Sequence, residues 1–314
     1  MAVSPKIIKR RIKSVANTRK ITKAMELVAG AKMRKSVQLA TMSKPYAQAI
    51  ELMTKTVRSL VDPRASVLLT ASKAPKSSLV VVAASDRGLC GGYNAQVLKK
   101  TMEFLKGRSE SFKVVTVGKR AESAVKRAGY EILASFDAIS NAPSFAKTLP
   151  IGSLLSSEFL SKHVDRVFVV YMEFKSAVTQ IPVVKQLLPI TPEEQLTKLA
   201  ESEPSPSEGE GMVRWGEGRG DDEASDASDS SILFEPSASK VLDTLLPRLL
   251  ETHVYQALLE GSASEHSARM LAMRNATDNA SDMLKDLSFT YNQARQANIT
   301  REISEISAGK AAIE

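Results

Sequence analysis

RRIKSVANTRKITKAMELVAGAKMRKS, residues 10–36, holds a single glycine and no proline, so nothing in it stops a helix. Ile8, Ile12 and Val15, followed by Ile21, Met25 and Val28, step by four and three, the spacing that keeps one face toward a partner helix. The pattern runs outward from about Pro5 to Leu60. Pro5 suits a first-turn position, and Pro45 in SKPY predicts a kink because proline removes a backbone donor and crowds the preceding turn. DPRAS and SKAPKSS, between 62 and 78, gather the turn residues that end the helix.

The other end of the 314-residue chain is also helical in pattern, from Ser237 to about Ile313, with Ser237 or Ser239 as cap. Its apolar positions are Val241, Leu242, Leu245, Leu246, Leu249, Leu250, Val254 and Leu258. Pro247 predicts an early kink. Met283, Leu287, Tyr291, Ala294 and Asn298, then Ile299, Ile303 and Ile306, carry a seam onward with more polar interruptions than a strict coiled coil has.

Between the two ends the period changes. Leu79–Ala84, Phe112–Val117 and Val167–Met172 are short apolar runs rich in β-branched residues, which predicts strands buried on both faces. Tyr130–Ala134 and Thr179–Leu188 are further strand candidates, and helical patterns fall at about 93–106, 119–128 and 150–162. Alternating strand and helix implies right-handed crossovers and a mostly parallel sheet, a Rossmann-like α/β domain over 77–190. At 1.5 Å per residue the terminal helices reach roughly 85 Å and roughly 110 Å, whereas a domain of ~115 residues has a radius of gyration near 13 Å. Most of both helices must therefore bury their stripes on each other. The expected fold class is α/β with a long antiparallel coiled coil, divided as 1–62 for the first helix, 77–190 for the domain, 191–235 for an insertion and 236–314 for the last helix.

Charge is divided just as sharply. The chain carries +8 overall, yet residues 1–60 hold fourteen Lys and Arg against Glu26 and Glu51, a local +12. Residues 193–235 oppose them with thirteen acids against Lys198, Arg214 and Arg219. EPSPSEGEG and GRGDDEASDASDSS combine Pro, Gly, Ser and like charge, the composition of a mobile insertion. Trp215 within it is either a partner anchor or incidental. The outer face of the helix pair is expected to be basic on one side and Ser-, Ala- and Asn-rich on the other (GSASEHSARMLAMRNATDNASDM), suited to many weak, exchangeable contacts rather than one tight dock.

Chemistry leaves few footholds. GLCGGYN, 88–94, sits between a strand and a helix, where α/β sheets bind phosphate. Gly88, Gly91 and Gly92 match neither GxGxxG nor GxxxxGK[ST], so a tight turn competes with a nucleotide site. Cys90 is the single cysteine, which excludes an intramolecular disulfide; it reads as a packed thiol, with a helix N-terminus nearby as the argument for reactivity. Asp86 and Arg87 suggest an ion pair that shapes the turn. His163, His253 and His266 stand apart from one another and from Cys90, so no metal site is expected, and no cofactor. The basic helix fits either a nucleic-acid arm or a solvated face, and it lacks aromatic interleaving. No run is long and apolar enough to span a membrane, and the N-terminus lacks the apolar core of a secretory signal.

RRIKSVANTRKITKAMELVAGAKMRKS, SDRGLCGGYN at 85–94 and SARMLAMRNATDNASDMLKDLSFTYNQARQANITREISEI at 267–306 resemble the gamma subunit of F-type rotary ATP synthases. The resemblance covers both terminal helices and the domain between them; the acidic stretch is its main departure. It implies a non-enzymatic central stalk in a proton-translocating synthase. The coiled coil turns inside a ring of catalytic and non-catalytic subunits, while the globular foot rests with epsilon on the membrane ring of c subunits. It further implies a place on the cytoplasmic face of a bacterial inner membrane and no nucleic-acid partner. By the same resemblance Met25, Lys23, Lys32 and Arg34 face acidic lever loops of the catalytic subunits, and Arg269, Arg295, Gln296, Thr300 and Glu302 match hydrogen-bonded catches against the ring. Leu233, Phe234 and Glu235 align with the foot region near the rotor ring and epsilon. Chloroplast relatives carry a regulatory cysteine pair near this insertion; the absence of cysteine here excludes dithiol switching.

Overall fold

The structure, a computed structural model, describes residues 5–59, 66–72, 75–190, 235 and 237–311. Helix α1 (Pro5–Ser59) opens the chain. It is followed by β1 (Ser77–Ala83), α2 (Tyr93–Lys106), β2 (Ser111–Val117), α3 (Lys119–Arg127), β3 (Glu131–Phe136), α4 (Phe145–Leu160), β4 (Arg166–Phe174) and β5 (Gln180–Leu188). Helix α5 (Ala238–Ala311) closes it. The lone acidic stretch, Trp215, Leu233 and Phe234 lie outside the described residues.

The sheet has the order β3-β2-β1-β4-β5. Its first four strands are parallel and β5 returns antiparallel along β4. Val80, Val81, Val82, Val114, Val115 and Val170 are fully buried because helices cover both faces. Tyr93, Val97 and Leu105 of α2 and Ala121 and Val125 of α3 pack on one face. Ile151, Leu155 and Phe159 of α4 pack on the other with Leu242, Leu246, Leu249, Leu250, Val254 and Leu258 of α5 and Ile50 and Val57 of α1. Both long helices are thus rooted in the domain core before they leave it. Gly118, at the turn from β2 into α3, has φ +92°, and a Cβ there would stand 2.2 Å from the Ala84 carbonyl oxygen; glycine is obligatory at that crossing.

At 1.5 Å per residue, 55 residues of α1 and 74 of α5 correspond to about 83 Å and about 111 Å. Both helices run unbroken through Pro45 and Pro247. The Ser237 hydroxyl accepts from the Lys240 amide at 3.4 Å and caps α5. Contacts across the pair set an antiparallel register: Thr22 with Thr277 (2.8 Å), Ser36 with Ser262 (3.2 Å) and Gln256 with Ser43 (2.9 Å). The seam on α1, buried or half-buried, passes through Ile8, Ile12, Val15, Thr22, Ala29, Met33, Ser36, Ala40, Ser43, Ala47, Ile50, Thr54 and Val57, in steps of three, four or seven residues.

Two expectations fail at the seam. Ile21 and Val28 were read as buried, but they point outward, 61% and 57% exposed, and Thr22 and Ala29 take the seam one residue later. On α5, Leu284 replaces Met283 in the seam, and Ile299, Ile303 and Ile306 are exposed. Small residues win because α1 and α5 approach closely over this stretch; a Cβ added at Gly30 would already lie 3.2 Å from the Met270 sulfur.

Candidate functional site

The joint between shaft and domain is built on Gly261–Ser267, sequence GSASEHS, which is buried throughout. Its Ser- and Ala-rich composition had suggested a solvated outer face, and the structure overturns that. Small side chains let the domain backbone come close, and their hydroxyls meet its carbonyls. The Ser264 hydroxyl donates to the Met172 carbonyl (3.1 Å) and Ser267 to the Ala177 carbonyl (2.5 Å). From the domain, the Tyr93 hydroxyl donates to the Gly261 carbonyl (3.2 Å). Burial pushes the Tyr93 hydroxyl well above its ordinary pKa, with Glu265 adding to the effect.

The glycine turn serves the same joint. Gly91 has φ +56°, and a Cβ there would meet Ala272 at 3.8 Å and the Ala268 carbonyl at 4.0 Å, so the turn lies against α5. Arg269 reaches into it: its guanidinium donates to the Gly88 carbonyl (3.4 Å), pairs with Glu265 (2.7 Å) and donates to His266 Nδ1 (3.3 Å). His266 Nε2 then donates to the Asn141 carbonyl at 3.1 Å, which fixes the tautomer. Burial lowers His266 to about 4, so it stays neutral at physiological pH. Burial also raises Glu265, and Arg269 opposes that rise. Asp86 does not pair with Arg87. It accepts from the Lys119 amide (3.3 Å) and the Ser140 hydroxyl (2.9 Å), tying the turn to neighbouring loops. Cys90 is buried among Ser85 and Asn94 as a packed thiol.

The residues expected to meet partners fall in four places. Lys23 is exposed and paired with Glu26 at 3.0 Å, Met25 flanks the seam half-buried, and Arg34 is exposed. Lys32 donates to the Asn141 side-chain oxygen at 3.0 Å, at the edge of the joint. Arg269 belongs to the joint itself, its side chain 12% exposed. Arg295, Gln296, Thr300 and Glu302 are exposed on the stretch of α5 that passes the described start of α1. Glu235 is exposed. The structure therefore brings Lys32 and Arg269 to the joint, with Arg34 two residues beyond Lys32 on α1, and leaves Arg295, Gln296, Thr300 and Glu302 far along α5.

Ile21, Leu27 and Val28 on α1, and the stripe of Ile299, Ile303 and Ile306 on α5, are exposed. Ile21, Val28, Ile299, Ile303 and Ile306 share the periodicity of the seam, and Leu27 does not.

A family model described as ATP synthase matches residues 4–313. ATP synthase gamma chains from Heliobacterium modesticaldum and Pelotomaculum thermopropionicum are 39% and 37% identical over 307 residues, 98% of this chain and of each relative. The chain belongs to the ATP synthase gamma family. Among solved structures, a Tetrahymena thermophila mitochondrial ATP synthase central stalk with its c-ring matches at TM-score 0.57 and 27% identity, covering 82% of this chain and 99% of that one. A chain of the Euglena gracilis mitochondrial ATP synthase matches at TM-score 0.63 and 19% identity, covering 98% and 94%, and supports the fold. Gamma chains are the central stalk of the F-type synthase, a non-catalytic subunit of a complex whose other chains carry the ATPase. That complex is membrane-associated, and no described helix here is long and apolar enough to cross a membrane.

A shaft acts on its surroundings through differential contact. A rod that touched every catalytic subunit equally would shift none of their conformational equilibria. This rod is asymmetric in section: α1 carries the basic and apolar outward face, α5 the more mixed one, and past the start of α1 only α5 is described.

Proposed function

We propose that the shaft works inside the ring of catalytic and non-catalytic head subunits while the domain, with epsilon, rests on the ring of c subunits at the cytoplasmic face of a bacterial inner membrane. Lys23, Met25, Lys32 and Arg34 meet acidic loops of the catalytic subunits, and Arg295, Gln296, Thr300 and Glu302 make polar catches near the tip. Arg269 offers only its exposed edge to the ring, since its guanidinium is already held by Glu265 and the Gly88 carbonyl. Leu233, Phe234 and Glu235 contact the c-ring or epsilon. The segments proposed to act as units are residues 1–62, 77–190, 191–235 and 236–314.

The observation that carries this reading is the exposure of Ile21, Leu27 and Val28 together with Lys20, Lys23 and Lys32 on the outward half of α1. Apolar rows among cations fit acidic protein loops; a track for nucleic-acid phosphates gains nothing from them. In the assembled synthase, Lys23→Glu with Lys32→Glu and Arg34→Glu should cut ATP-driven ion pumping by about tenfold (about 1.4 kcal/mol of coupling) while the isolated chain stays folded. Pumping equal to wild type would sink the assignment of that face.

A further inference from the structure

Where α1 crosses β4, β5 and α5, the structure holds a cavity of about 300 Å³. Two buried polar atoms of its lining residues, His253 Nε2 and Glu260 Oε2 on α5, have no hydrogen-bond partner among the described residues. Each atom buried unpaired costs stability. Thr41 and Gln48 of α1 line the same space and are exposed, so it reaches solvent beside them. Glu260 stands immediately before the GSASEHS run, which puts the cavity at the edge of the joint between shaft and domain.

The lining decides what fits. Lys44 and Lys185 stand with Glu51 and Glu260, so at neutral pH their charges nearly cancel and a ligand of either net sign gains little. Burial, with Glu173 behind it, raises the Glu260 carboxyl to about 7 against the pull of Lys185. At pH 7 that group passes between a form that only accepts hydrogen bonds and one that also donates. His253, lowered to about 3 by burial and then by Lys185, is neutral, with one ring nitrogen donating and the other accepting. A hydroxyl meets all of these states because it both donates and accepts. Water does so too, but it leaves the apolar wall of Phe174, Val37 and Ala47 wet, whereas the CH face of a ring covers it. His253 and Glu260 lie seven residues apart, about 10.5 Å along α5. Two hydrogen bonds of about 2.8 Å leave about 5 Å between the groups that meet them, the spacing of hydroxyls across a six-membered ring. A volume of about 300 Å³ is at the small end of ligand pockets, enough for one such ring. We propose that the cavity binds one neutral cyclic polyol, a monosaccharide or cyclitol, with ring hydroxyls on His253 Nε2 and Glu260 Oε2 and a ring face on Phe174, and that this occupant ties α1, β4, β5 and α5 together at the joint.

Isothermal titration of the full chain at about pH 7 tests this with four probes: glucose, myo-inositol, anionic glucuronate and cationic glucosamine. Glucose or myo-inositol should bind one to one, on the order of tenfold tighter than either charged ring, because a net charge enters the cavity without a matching partner. It should also raise the unfolding temperature of the chain as its concentration passes Kd. No saturable binding of either neutral ring, or a charged ring bound as tightly, overturns the proposal. His253→Leu and Glu260→Met each remove an unpaired buried polar atom. Each should leave the unfolding temperature of the unliganded chain unchanged or raised, and weaken binding by about tenfold. Wild-type affinity in either variant overturns the proposal, and so does a lower unfolding temperature in both, which would assign the two atoms to the fold. Should a variant fail to fold, Thr41→Trp decides. Its ring, placed at the exposed mouth, should block binding and leave unfolding unchanged; wild-type affinity there overturns the site. The titration uses the isolated chain, so its outcome is independent of how the shaft meets its ring.

Discussion

Helix α5 holds two opposite regions in one continuous rod. Residues 253–269 are gripped by α1, β4, the glycine turn and the loop at Asn141, with hydroxyls, a buried ion pair and a neutral histidine spent on internal bonds. Residues 295–311 have Ile299, Ile303 and Ile306 in the open and no described helix alongside. The difference separates two duties. A joint that passes torque must not slip, and its serine hydroxyls, its ion pair and His266 bond within the chain, while His253 Nε2, Glu260 Oε2 and Glu265 Oε2 are buried without a hydrogen-bond partner. The tip leaves its apolar side chains exposed, at no benefit to its own fold.

Substitutions should therefore divide by region. In the joint, Leu258→Ala removes a buried side chain from the cluster shared with the sheet and should cost about 3 kcal/mol in denaturant unfolding; a loss under about 1 kcal/mol would mean the joint is loosely packed. Arg269→Ala strands Glu265, whose side chain is 3% exposed, and should cost about 3 kcal/mol near pH 8. Glu265 is raised by burial and held down by Arg269, so without the arginine its folded pKa climbs further. The deficit should then shrink as pH falls toward 4.5, where the acid form needs no partner. A deficit constant with pH would show that Arg269 matters through packing alone. At the tip, Ile303→Asn should change unfolding by less than about 0.5 kcal/mol, yet weaken retention of the chain in the assembled complex. Equal stability losses at tip and joint would erase the distinction.

How much of this was legible beforehand depends on what each residue's signal competes with. The strands were plain because burial on both faces turns them into unbroken runs such as Leu79–Ala84, and the structure finds β1 at Ser77–Ala83. Helix lengths followed from the scarcity of breakers. Which helix face is buried did not follow, because the close approach of α1 and α5 selects Thr22, Ala29 and Ser36 for the seam and turns Ile21 and Val28 outward. Hydrophobic spacing points to a partner without saying whether it is in the same chain. GSASEHS is deceptive for a related reason: serine hydroxyls satisfied by backbone carbonyls of β4 and of the loop after it look, in sequence, like a solvated surface. The role of Arg269 in the joint was likewise hidden, since a cation i+4 from Glu265 reads as an ordinary helix-surface pair until the Gly88 carbonyl arrives from 181 residues away.

The central claim is that α1 and α5 turn as one body. Thr22 and Thr277 face each other across the pair with hydroxyls 2.8 Å apart, so Thr22→Cys with Thr277→Cys places a disulfide between the two helices along the shaft. Rotation of a bead fixed to the domain, with the head immobilised and ATP supplied, measures the consequence directly. The account predicts that the oxidised shaft rotates as fast as the reduced one. Rotation that stops on oxidation and resumes on reduction would show that the helices must move past each other, and would contradict it.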